Sequence, residues 1–88
     1  MVMWKIALTK RALKDAKKIS HSRLKNQVEK LIEILKTNPY QNPPPYEKLT
    51  GDLVGMYSRR INRQHRLVYE VDDEQKRVKI LMMWSHYE

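Results

Sequence analysis

The clearest pattern in the chain is an apolar stripe of helical period. Leu24, Val28, Leu31, Ile32 and Leu35 fall at i, i+4, i+7, i+8 and i+11, the spacing of one buried helix face. Lys25, Glu29, Lys30 and Glu33 fill the other faces, Ser22 is placed to cap the start, and Thr37-Asn38-Pro39 ends the run. A shorter helix precedes it, with Thr9 as a good N-cap and Ala12, Leu13, Ala16 and Ile19 on one side. Ahead of both, residues 3–8 carry the β-formers Trp4 and Ile6 and predict a first strand.

After the second helix the period changes. Residues 38–46 hold all four prolines of the chain, which fix φ and remove donors, so an extended, stiff loop is expected there. That loop delivers Glu47. Gly51 and Gly55 bracket a turn, and three strands follow at Met56–Ile61, His65–Val71 and Arg77–Trp84, with Asn62-Arg63-Gln64 and Asp72 to Gln75 as turns. The order β-α-α-β-β-β predicts an α+β fold, two N-terminal helices packed on one face of a small twisted sheet. The other face stays open. With only 88 residues, the expectation is a single domain spanning 1–88.

Charge adds a partner class. Eighteen Lys and Arg against ten Asp and Glu leave a net +8, a field that attracts polyanions such as nucleic acid, or an acidic protein. The absence of cysteine removes disulfides and thiolate metal sites. Histidines 21, 65 and 86 show no ligand spacing, and there is no phosphate loop or HExxH; neither metal nor cofactor is expected. No apolar run reaches the ~18–20 residues that span a bilayer, and no secretory signal order is present. The expected location is the cytoplasm, with no membrane contact.

His, Glu, Arg, Lys and Tyr suit one reaction in particular. RNA carries its own nucleophile in the 2′-hydroxyl, so a protein need supply only a base, a cation for the phosphorane and an acid for the leaving oxygen. Composition does not say which residues these are. The motifs narrow the choice: Glu47 with Leu49, then Leu53-Val54-Gly55-Met56-Tyr57-Ser58-Arg59-Arg60-Ile61, then His65-Arg66-Leu67-Val68-Tyr69, and a C-terminal His86-Tyr87. This arrangement closely resembles the YoeB (Txe) branch of the RelE/ParE toxin superfamily, over essentially the whole chain in element order. Met56, Thr50, Ser85 and the final Glu88 depart from the usual residues of that pattern.

The resemblance implies a RelE-like fold and a toxin of a type II toxin–antitoxin system that cleaves messenger RNA in the ribosomal A site. It implies Glu47 as general base, His86 as general acid, Arg66 as the phosphate-stabilising cation, and Tyr87 shaping the site. Arg59, Arg60, Lys48 and Tyr57 are the expected RNA contacts. Basic residues elsewhere are expected to dock on ribosomal RNA. A YefM-like antitoxin and a homodimer are the implied protein partners.

Each residue also has a plainer structural role open to it. Arg66 is spaced to pair with Glu70 on the same strand face, and Glu47 could be a surface carboxylate after a loop. Arg59 and Arg60 alternate across a strand, so at most one faces the site, and the sequence leaves open which. Tyr69 is best read as core. A ParE-like gyrase inhibitor and a non-catalytic basic RNA-binding module are the alternative functions.

Overall fold

A computed structural model describes residues 3–83. The order is β1 (Lys5–Leu8), α1 (Lys10–Ser20), α2 (Lys25–Thr37), β2 (Tyr46–Lys48), a 3-10 turn at Gly51–Leu53, β3 (Met56–Arg60), β4 (Arg66–Asp72) and β5 (Arg77–Met82). Thr9 caps α1 as its sequence position suggests. Its hydroxyl accepts from Ala12 N at 3.1 Å and donates to the Leu81 carbonyl at 2.9 Å, tying the helix start to β5.

The five strands form one sheet in the order β1-β5-β4-β3-β2. β1 lies parallel to β5, and every other pairing is antiparallel. α1 and α2 cover one face. Their stripes (Ala12 and Ile19; Leu24, Val28, Leu31 and Leu35) meet Leu67, Tyr69, Val78 and Ile80 in one core. The α1 stripe differs from expectation at one position. Leu13 is 54% exposed while Asp15 is buried, because Ala12, Asp15 and Ile19 share a face that Leu13, one residue and ~100° from Ala12, does not. Asp15 is satisfied there by the Met83 backbone N–H at 3.1 Å.

Two further details depart from the sequence reading. Ser22 does not cap α2, whose N-cap is Leu24 with no side-chain bond; the Ser22 hydroxyl instead accepts from Leu24 N within the turn between the helices. The stretch after the prolines gains a fourth C-terminal strand, β2, paired with β3 in the register Tyr46↔Arg59, Glu47↔Ser58 and Lys48↔Tyr57. Three residues beside a proline run give too little alternation to announce a strand. Its partner β3 makes it one. Among the described residues no helix is long and apolar enough to cross a membrane.

Candidate active site

Strand alternation decides which side chains can meet. On β3, Tyr57 and Arg59 pair with Tyr69 and Leu67 of β4, and so turn toward the helix-covered face. Ser58 and Arg60 turn to the open face. Glu47 is the register partner of Ser58, and Arg66 is the register partner of Arg60. Three strands therefore deliver Glu47, Ser58, Arg60 and Arg66 to one side of the sheet.

There they line a cavity of about 270 Å³, together with Pro45 from the end of the proline loop. Two guanidiniums against one carboxylate leave the pocket net positive, which suits a phosphodiester. Among the described residues no ion pair ties Arg66 or Arg60 to Glu47, and none ties Arg66 to Glu70. Among the described residues the Arg66 guanidinium makes a long 3.5 Å contact to the Asn62 carbonyl. Asn62 shapes the β3–β4 turn, its side-chain oxygen accepting from Gln64 N at 2.9 Å and His65 N at 2.7 Å. Arg66 thus starts its strand from a well-defined turn and lines the cavity.

The cavity settles which of the two adjacent arginines faces it. Arg60 lines it; Arg59 is 1% exposed on the opposite face. The Arg59 Nε donates to the Tyr69 hydroxyl at 3.1 Å, Nη1 to the Pro44 carbonyl at 2.5 Å, and Nη2 to the carbonyls of Pro39 and Gln41 at 3.0 and 2.8 Å. Its guanidinium also lies 5.0 Å from the centre of the Tyr46 ring, a favourable cation–π distance. The expectation that Arg59 contacts RNA is therefore corrected: its donors are already engaged within the protein.

Lys48 and Tyr57 also leave the group. Both lie opposite Glu47 by alternation, and Tyr57 stacks on Tyr69 with centroids 5.6 Å apart and meets Tyr40 and Tyr46 edge-on. Tyr69 is core, as its strand position suggests. Burial pushes its phenol above the ordinary tyrosine range, against the opposing pull of Arg59. It therefore remains a donor, to the Pro39 carbonyl at 3.0 Å. Ser58 and Pro45 line the cavity without having been singled out in the sequence. Parity with Arg60 is the signal that marks Ser58. His86 and Tyr87 lie outside the described residues, as does Trp84.

The same open-face constellation sits on a chain with clear relatives. The family model for the YoeB-like toxin of bacterial type II toxin–antitoxin systems matches residues 9–87. The chain belongs to the YoeB toxin family. Toxin YoeB of Streptomyces coelicolor is 38% identical over 68 residues, covering 77% of this chain and 79% of its own. A YoeB/ParE toxin from Agrobacterium tumefaciens superposes with a TM-score of 0.86 at 28% identity, over 94% of this chain and 99% of that one. YoeB of Staphylococcus aureus, in a heterotetrameric complex with YefM, gives a TM-score of 0.73 at 38% identity over 96% of this chain and 98% of its own. The same toxin as a dimer gives 0.75 at 37%, over 98% and 100%. In this YoeB-family chain, then, the two helices on a five-stranded mixed sheet are the RelE-like toxin fold.

Proposed function

We propose that this toxin is a ribosome-dependent endoribonuclease that cleaves messenger RNA in the A site and so stops translation. The observation that carries the reading is the convergence of Glu47, Arg60 and Arg66, from three different strands, on one cavity of about 270 Å³. Glu47 takes the proton from a ribose 2′-hydroxyl. The freed 2′-oxygen attacks the adjacent phosphorus, and Arg66, with Arg60 beside it, holds the charge on the non-bridging oxygens. The bond from phosphorus to the 5′-oxygen breaks, and His86 supplies that oxygen with a proton, with Tyr87 shaping the site. The products are a 2′,3′-cyclic phosphate and a 5′-hydroxyl.

The net +8 charge supports docking on ribosomal RNA, since the phosphate backbone supplies most sequence-independent affinity. The S. aureus relatives support a YefM-like antitoxin and a homodimer as the protein partners, acting with the toxin in the cytoplasm. Glu47→Gln, Arg66→Ala and His86→Gln test the reading. Each is expected to abolish toxicity on induction while circular dichroism shows an intact fold. Full toxicity in all three overturns the assignment, and DNA damage in place of translation arrest points to the gyrase-directed alternative.

A further inference from the structure

The catalytic reading places Glu47 on a weak element. β2 has three residues and lies at the sheet edge, and so short an edge strand is easily displaced. The general base of a reaction needs the opposite: small errors in its position carry large rate penalties. Something must fix the strand.

Beyond its short ladder with β3, the loop and ring that lead into the strand converge on Arg59. Its guanidinium gathers three successive points of the loop that leads into β2, the carbonyls of Pro39, Gln41 and Pro44. The same group faces the ring of Tyr46, the residue immediately before Glu47. Tyr46 is also the backbone register partner of Arg59. The Tyr69 hydroxyl completes the arrangement, accepting from Arg59 and donating to the Pro39 carbonyl. A planar fork with five donors can serve several carbonyls at once in fixed geometry; a lysine ammonium cannot hold the same spread.

We infer that Arg59 is a positioning residue, which sets the place of the Glu47 carboxylate from the opposite face of the sheet by locking the proline loop and the Tyr46 ring. This rests on the proposal that Glu47 is the general base. The adjacent arginines divide the work: Arg60 faces the ligand cavity and Arg59 holds the loop that carries the base to it.

The test is a double-mutant cycle between Arg59→Lys and Glu47→Gln, read as single-turnover cleavage on ribosomes programmed with a defined message. Arg59→Lys alone is expected to slow cleavage about a hundredfold, the scale of a ~1 Å misplacement, with the half-saturating ribosome concentration unchanged. In the Glu47→Gln background the same change is expected to cost less than about threefold, because the group it positions is gone. Tyr69→Phe removes one hydroxyl and no charge, and is expected to show the same pattern on a smaller scale; it carries the test if Arg59→Lys does not fold. Folded Arg59→Lys with an unchanged rate overturns the inference. So does the full loss appearing again in the Glu47→Gln background, which is the signature of a general structural defect. If Glu47→Gln alone retains full activity, it is the catalytic reading that fails.

Discussion

Arg60 and Arg66 stand directly opposite one another across the β3–β4 ladder, on the open face where both line the cavity. Like charges in register on neighbouring strands destabilise a sheet by roughly 0.2–1 kcal/mol, a penalty that an anion between them removes. Arg60→Thr is therefore expected to raise the thermal midpoint by a few degrees while impairing cleavage. A lowered midpoint in a thermal melt contradicts this account of the pair.

The same pair predicts how binding responds to salt. If Arg60 contacts phosphate, ribosome affinity of Arg60→Ala falls against log salt with a slope smaller by about 1 than the wild type. Titration at several salt concentrations measures it. An unchanged slope places Arg60 away from the backbone of the RNA.

Arg59 makes an opposite prediction. Replacing it with Met removes the side-chain donor of the Gln41 and Pro44 carbonyls and leaves Pro39 with the Tyr69 hydroxyl alone, and acceptors that lose their donor on folding are costly. Urea unfolding of Arg59→Met is expected to show a loss of about 2–4 kcal/mol, against little change for Arg60→Met. Equal effects at both positions contradict the division of roles between these neighbours.

Much of the fold was legible because its signals are local. The α2 stripe names Val28, Leu31 and Leu35, all buried, and the turn residues after Ile61 and Val71 mark where β3 and β4 end. Leu13 misled because hydrophobicity stood in for angle; the turn from Ala12 to Asp15 puts a carboxylate where an aliphatic residue is the simpler guess. It is tolerated because β5 presents the Met83 N–H to it. β2 stayed hidden for a different reason. Its only warrant is long-range, a ladder with residues 57–59, and no window around Tyr46–Lys48 contains it.

The candidate site was legible in part. Alternation alone shows that Arg59 and Arg60 face opposite ways, but choosing between them needs the partner strands, since only the Tyr57–Tyr69 and Ser58–Glu47 registers say which face meets the helices. Lys48 and Tyr57 lie across the sheet from the cavity for the same reason.

The Thr9 cap offers a check on the packing of α1 against β5. Its hydroxyl serves both Ala12 N and the Leu81 carbonyl, so Thr9→Ala is expected to cost about 1 kcal/mol or slightly more. Thr9→Ser, which keeps the hydroxyl, recovers most of that in chemical denaturation. A serine variant as weak as the alanine variant contradicts the double role of this side chain.

The chemistry of the cut ends tests the central claim most directly. Ribosomes programmed with a short message are incubated with the toxin, and both new termini are analysed. In-line attack by the 2′-hydroxyl predicts a 2′,3′-cyclic phosphate on the upstream fragment and a 5′-hydroxyl on the downstream one, both formed far more slowly with Glu47→Gln. A 3′-hydroxyl paired with a 5′-phosphate, or cleavage undiminished by Glu47→Gln, contradicts it.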